Sequence, residues 1–365
     1  MVIVVTGYKS QYTFTKSVCG FVNYGYLMSK KQRATLRDVA RSAKVSVATV
    51  SRVLNNSELV TTATRTKVND AVMALGFTPS AAARTLNSGR TRTIGVLIPT
   101  LDHAIFAKFL NELEDKCSEL GFTLVVSITD SNLDTEVQKA ATLLNMGVEG
   151  LVVSGKAHGS EFDDLIDRFD VPVVITSYFD DSAKYPTIGY DNAAIAQMAL
   201  EHLHAAGHRN IAVIHGPASS NDRTEARIDG LRSSNLDVTL TFWETGLDIA
   251  GGASTTKKLM DGAIGQTAIL CLSDVLALGA FFELQRRNLK IPEDMSLMGF
   301  DNLEWGSVST PPLTTIDLPV SRMATEAAVA ICRWADHGTA ALHTKLHGEI
   351  VSRASTISSD DLLDT

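Results

Sequence analysis

The chain has 365 residues, and its 45% hydrophobic and 20% charged content is that of a folded protein of two or three domains, not of a disordered one. No apolar run approaches the ~20 residues of a membrane span, which excludes an integral membrane protein built on helices. The net charge of −8 is unevenly spread: residues 28–92 carry twelve Lys and Arg against three acids, whereas residues 93–365 carry 19 basic and 38 acidic side chains. A basic head on an acidic body points to nucleic acid at one end.

Residues 1–33 are expected to form an unstructured extension. Val2-Ile3-Val4-Val5 is too short for the apolar core of a signal peptide, no charged segment precedes it, and Met28 is the more natural start. Residues 34–79 read as a small helical DNA-binding domain. Thr35-Leu36-Arg37-Asp38 has the form of a capped helix start, with Leu36, Val39, Ala40 and Ala43 on one face. After a tight break at Lys44-Val45, Ser46 caps a second helix bearing Val47, Val50, Val53 and Leu54. Thr61 or Thr62 begins a third, with Val68, Ala71, Val72 and Leu75 at helical spacing before Gly76. An Ala-rich piece, 81–87, and a polar basic linker complete residues 80–92.

From 93 to 365 short apolar strands alternate with helices. Strands at 94–98, 123–127, 150–154 and 171–176 form one series, with a helix whose stripe is Phe106, Phe109, Leu110, Leu113, Cys117 and Leu120. Strands at 211–214, 238–243, 268–272 and 296–300 form a second, with helices near 192–206, 222–233, 251–262 and 274–288. Two such sets predict an α/β core of two doubly wound parallel-sheet lobes, crossing near 190 and near 315, with ligand chemistry between them. Cys19, Cys117, Cys271 and Cys332 lie far apart with no C-x-x-C pair. That excludes a disulfide scaffold and zinc-finger spacing, and suits a reducing cytosol.

No enzyme signature survives inspection. Gly150-Leu-Val-Val-Ser-Gly155-Lys156-Ala157 nearly spells a phosphate-binding loop, but Ala157 stands where a Ser or Thr must hold magnesium. His202, His204 and His208 surround a helix end, where a dipole role outweighs a metal cluster. No catalytic residue, metal or cofactor is expected. The DNA-reading pattern is far more specific. Two short helices joined by a small turn, on a basic surface, make a helix-turn-helix whose second helix enters the major groove. Ser46, Thr49 and Ser51 suit phosphate, Arg52 suits a guanine edge, and Val47 and Ala48 suit thymine methyls. Helix–helix packing is an equal alternative for Val47.

Thr35-Leu-Arg-Asp-Val-Ala-Arg-Ser-Ala-Lys-Val-Ser-Val-Ala-Thr-Val-Ser-Arg-Val-Leu-Asn55 resembles the signature of the lactose/galactose repressor (LacI/GalR) family. Leu75-Gly76-Phe77-Thr78-Pro79, Gly207-His208-Arg209, Ile291-Pro292-Glu293-Asp294 and Pro311-Pro312-Leu313-Thr314-Thr315 continue the likeness, which spans about 35–356. The resemblance implies a helix-turn-helix head and a periplasmic-binding-protein-like core that binds a small effector and dimerises. It implies a repressor acting in the cytoplasm, at the nucleoid, on a double-stranded, pseudo-palindromic operator. Thr35, Lys44 and Asn55 join the expected DNA contacts, and residues 80–92 become a hinge helix whose Leu86 wedges into the minor groove. Residues 357–365 carry no heptads, so a homodimer and not a tetramer is expected.

For the effector, the resemblance implies Phe106 as an apolar wall, Arg227 and Asp301 as polar grips, and Ser273 and Ser177-Tyr178 at strand ends. Some relatives place Asp where Ser177 stands. Asp274 suits ligand contact or a structural cap. Arg223 and Arg227, four residues apart, suit forked recognition of an anion, favouring a sugar acid such as gluconate over a neutral sugar. Pairing of Arg223 with Asp222 or Glu225 competes with that reading. A soluble sugar-binding or sugar-active protein with a vestigial head is the alternative of another class.

Overall fold

The computed structural model describes residues 2–5, 34–54, 59–77, 89–156, 158–219, 221–262 and 265–357. They fall into two units, one of Tyr8–Thr91 and one of Arg92–Thr365 with Met1–Gly7. Asn55 and Leu86, the Ala-rich piece at 81–87, and most of the 1–33 extension lie outside the described residues.

The smaller unit contains α1 (Leu36–Ala43), α2 (Val47–Leu54) and α3 (Thr62–Leu75). Thr35 and Asp38 cap α1 reciprocally: the Thr35 hydroxyl accepts from the Asp38 amide, and the Asp38 carboxylate accepts from the Thr35 amide at 2.9 Å. Lys44 ends α1 in a left-handed conformation at φ = 55°, which turns the chain sharply into α2. Val39, Ala40, Ala43, Val50, Val53, Val68, Ala71 and Phe77 are buried as one cluster. Leu75, expected on the buried face of α3, is 39% exposed because that face ends one turn earlier, at Ala71 and Val72.

The larger unit is built on two sheets. The first contains β1 (Val2–Val5), β2 (Thr93–Ile98), β3 (Thr123–Ile128), β4 (Leu151–Ser154), β5 (Val173–Thr176), β6 (Thr187–Tyr190) and β12 (Thr344–Leu346), in the order β1-β3-β2-β4-β5-β6-β12. The second contains β7 (Asn210–His215), β8 (Thr239–Glu244), β9 (Ala268–Cys271), β10 (Ser296–Phe300), β11 (Thr314–Asp317) and β13 (Glu349–Val351), in the order β13-β11-β10-β9-β7-β8. All pairings are parallel except β1 with β3 and β13 with β11. Their strands read as nearly continuous apolar runs because helices cover both faces.

The helices of the first lobe are α4 (Ala104–Glu119), α5 (Leu133–Asn145), α6 (Ser160–Phe169) and α12 (Val320–His337). Those of the second are α7 (Asn192–Ala205), α8 (Asp222–Arg232), α9 (Ile249–Asp261), α10 (Asp274–Arg286) and the short α11 (Glu304–Val308). Gly230 lets α8 lie against α7: a Cβ there would enter the Ala193 backbone. Cys117 of α4 and Cys332 of α12 meet with their sulfurs 3.8 Å apart, as free thiols.

Two expectations are corrected. Val2–Val5, expected in an unstructured extension, form an antiparallel strand on the edge of β3, from Val2 opposite Ser127 to Val5 opposite Leu124. Four β-branched residues in a row have strong strand propensity, and the open edge of β3 offers backbone partners. The chain also crosses between lobes three times and not twice. The third crossing is at His347-Gly348, between β12 of one sheet and β13 of the other. Both strands are three residues long, too short for a periodic signal.

Candidate effector cavity and DNA-reading helix

Parallel strands deliver their carboxyl ends to the cleft between the two lobes, where open α/β sheets bind ligands. A cavity of about 230 Å³ lies there. Residues after β2, β3 and β5 and the last residue of β6, Tyr190, line it from the first lobe, and residues after β7, β9 and β10 from the second. Of the residues expected at the effector, Phe106, Ser177, Arg223, Arg227, Ser273 and Asp301 all line this one space. Tyr178 does not. Its hydroxyl donates to Asp180 Oδ2 at 2.7 Å, and its ring packs on the apolar cluster on the other face of the first sheet. Ser177, just past the end of β5, takes a positive φ of 66°, a turn that leaves it on the cleft while Tyr178 goes to the other face.

Arg227 is buried and held on two sides. Its Nε donates to Asn192 Oδ1 at 3.0 Å and its Nη1 to the Leu272 carbonyl at 2.9 Å. The guanidinium stands 4.8 Å from the centre of the Phe300 ring, a contact that favours a partly desolvated cation. Asn192 also donates from Nδ2 to the Ser177 carbonyl at 3.0 Å, so it ties the arginine of one lobe to the strand end of the other. Asp301 accepts from the Ser273 hydroxyl at 3.0 Å and occupies φ = 105°. That backbone conformation is costly for a non-glycine residue, and such strain concentrates at functional sites.

Burial dominates the electrostatics. It pushes the Asp301 carboxyl up to about 6, against the opposing pull of Arg227 and the Ser273 hydroxyl. Asp274 is raised well above the usual carboxylate range, first by burial and then by the Asp301 charge. Asp274 is structural: it accepts from the Leu303 amide at 2.8 Å and from the Thr315 hydroxyl at 2.7 Å. The cap of α10 is Ser273, whose hydroxyl accepts from the Val275 amide. Arg223 pairs with Asp222 at 3.1 Å, the competing arrangement anticipated for it. His103, on the cavity wall, is lowered by burial, with Asp102 and Asp248 opposing.

Tyr190 and Met323 also line the cavity, and Asn192 stands behind Arg227. None of the three was expected. An aromatic ending a parallel strand was a usable signal for Tyr190, whereas Asn192 and Met323 reach the site only through the crossings between lobes. His208 is not a ligand: its ring bridges Thr267 at 2.8 Å and Ser296 at 2.9 Å inside the second lobe. No group of three or more metal-ligating side chains occurs among the described residues. The Gly150–Lys156 stretch ends at a left-handed Gly155, and the next helix starts only at Ser160.

In the smaller unit, Thr35, Lys44, Ser46, Val47, Ala48 and Arg52 are exposed, and Thr49 and Ser51 half-buried. The Ser46 hydroxyl accepts from the Thr49 amide at 3.1 Å and shares a 2.8 Å hydrogen bond with the Thr49 hydroxyl. Val47 is 43% exposed and so leaves the packing of the unit to Val50 and Val53. The amino-terminal end of α2 therefore presents small polar and apolar groups, with Arg52 one turn further on. That surface fits a major groove.

Residues 35–80 match the family model described as bacterial regulatory proteins, lacI family. Residues 91–349 match that of the periplasmic binding proteins and sugar binding domain of the LacI family. The chain is 32% identical over 335 residues to the HTH-type transcriptional repressor PurR of Aliivibrio fischeri, covering 88% of this chain and 98% of that one. It is 31% identical over 296 residues to the ribose operon repressor of Haemophilus influenzae, covering 80% and 88%. The crystal structure of the lac repressor dimer bound to operator and an anti-inducer superposes with a TM-score of 0.81 at 26% identity, covering 90% of this chain and all of that one.

Proposed function

The chain belongs to the LacI family of bacterial regulatory proteins and is a DNA-binding transcriptional regulator; from that premise we propose that it is a homodimeric repressor whose hold on a pseudo-palindromic operator is set by a sugar or sugar acid bound between its lobes. The carrying observation is the cavity, where a buried guanidinium and a buried carboxylate, Arg227 and Asp301, converge with the rings of Phe106 and Tyr190. A fork of donors, an acceptor and aromatic faces are what a hydroxylated ring requires. Because Arg223 is paired with Asp222, the balance of charge supports a neutral sugar ahead of an aldonate such as gluconate.

Exposed apolar side chains on the second lobe support the dimer: Ile249, Phe282 and Val308 are 44%, 48% and 76% exposed. Such groups are commonly covered by a partner. No helix among the described residues is long and apolar enough to cross a membrane. Thermal-shift screening of the full chain against D-ribose, D-glucose, D-gluconate and a purine base tests the reading. A true ligand at a hundred times its Kd adds about 2.7 kcal/mol of stability. Stabilisation by a sugar that also changes operator affinity is expected. Response to gluconate alone moves the assignment to sugar acids, and a purine response rejects sugars altogether.

A further inference from the structure

The lobes touch at a point that ligand contact does not account for. At the end of β4 in the first lobe, Gly155 sits at φ = 94°, a conformation that glycine adopts without penalty. A Cβ placed there would stand 2.6 Å from Arg223 Nη1 and 2.8 Å from Asp222 Oδ2. Any side chain at 155 would therefore push away the start of α8, which belongs to the other lobe. Asp222 uses this proximity. Its Oδ2 accepts a hydrogen bond from the Lys156 amide, while its Oδ1 lies 3.1 Å from Arg223 Nη1. The two side chains are only 11% and 13% exposed, so the contact is largely withdrawn from water and weakly screened.

Both ends of this contact are anchored within their own lobes. The Gly155 amide donates to the Thr176 carbonyl at 2.9 Å. The His158 ring bridges the Gly155 carbonyl at 3.0 Å and Glu136 Oε1 at 2.8 Å, and stacks on Phe162. Across the cleft, Asn221 caps α8 by accepting from the Thr224 amide at 3.3 Å, and Asp222 occupies the first turn, where the helix dipole favours a carboxylate. The covalent crossings lie elsewhere, after β6, after β11 and after β12.

We propose that Asp222 is a clasp between the lobes: it holds the cleft shut by gripping the Lys156 amide and it positions Arg223 on the cavity wall. Arg223 lies between the clasp and the cavity, so a bound group that recruits its guanidinium alters the clasp directly. Cavity occupancy thereby gains a route to lobe closure, provided that it favours one arrangement of the lobes over the other. That coupling rests on the cavity being the effector site, whereas the closure does not.

Amide hydrogen exchange on the full chain, with no ligand added, tests the closure. In Asp222→Ala, and independently in Gly155→Ala, the amides of 154–158 and 221–226 should exchange about tenfold faster than in the parent. Asp222→Asn keeps an oxygen for the Lys156 amide and should stay within about threefold of the parent. Strands β7 and β9 should be unaffected in all three. Parental exchange at 154–158 in both alanine variants overturns the clasp, as does equal acceleration of β7 and β9, which marks a merely structural role. Thermal shifts with D-ribose and D-gluconate then separate the two claims. If neither shifts the parent at millimolar concentration, the sugar reading fails while the exchange result on closure stands.

Discussion

The DNA-reading unit and the effector core satisfy their polar groups on opposite plans. In the smaller unit the partners are three residues apart: Thr35 with Asp38, Ser46 with Thr49. The side chains stay at the surface, Thr35 and Ser46 exposed and Asp38 and Thr49 half-buried. In the core, Arg227 is held by Asn192 and the Leu272 carbonyl, and Asp301 by Ser273. Those groups are buried, and their partners come from other strands and helices of the same lobe, 28 to 45 residues away in the chain. A surface that reads a long exposed duplex can be local. A cavity that encloses a small molecule needs walls from many strands, and its buried charges shift accordingly.

The largest effect that sharpens this contrast is expected at Phe300, fully buried beneath Arg227. Phe300→Ala should cost the core about 3–5 kcal/mol. Calorimetry should show the core transition lowered and that of the smaller unit, which has its own apolar cluster, in place. Coincident shifts of both would break the contrast.

Asp301 comes next. Its folded-state value of about 6 exceeds the ~3.9 of an unfolded chain, so the folded protein binds that proton more tightly. Its contribution to stability is therefore full below about pH 4 and lost as pH rises through about 6. Asp301→Asn should be more stable than the parent by about 3 kcal/mol at pH 8, two pKa units at 1.36 kcal/mol each, with the gap closing toward pH 4. Urea unfolding at pH 4, 6 and 8 measures it, and a gap independent of pH would remove burial as the cause.

Arg227→Ala should lose about 1.5–3 kcal/mol of effector binding while leaving operator affinity unchanged. Arg52→Ala should do the reverse, losing about 1–3 kcal/mol on operator and relaxing preference at one base pair per half-site. Fluorescence anisotropy on operator and on random DNA separates the two. Equal losses on both DNAs would reassign Arg52 to a phosphate. The smallest effect is expected for Thr35→Ala, which removes one cap at a cost of about 1 kcal/mol. It should lower the melting of the smaller unit alone.

The legibility of each region followed the same division. The helix-turn-helix could be read because capping, turn and packing residues all lie within one or two helical turns. Its exposed face followed by subtraction, and among the described residues Val47 and Leu75 leave the apolar rows. In the core, Arg227 and Asp301 were placed by the resemblance; Ser273 and Asp301 also follow strands whose carboxyl ends converge, whereas Arg227 lies in the second turn of α8. Tyr178 was misplaced because the chain turns at Ser177, at φ = 66°, which the resemblance could not resolve. Asn192 and Met323 carried no local signal, since what matters is which strand end they meet across the crossings.

Composition and pattern by themselves determined that a basic helical head precedes an acidic core of two doubly wound lobes. Charge asymmetry and hydrophobic period are sums over neighbouring residues and need no tertiary contact. Only the tertiary structure decided that Val2–Val5 close the β3 edge, that the lobes are joined by a third crossing, and that Asp222 meets the Lys156 amide across the cleft. Each of these depends on two segments far apart in the chain arriving at the same place. Backbone pairing and carboxylate capture act over a few ångströms, so the residues that take part carry no mark of it until the fold brings them together.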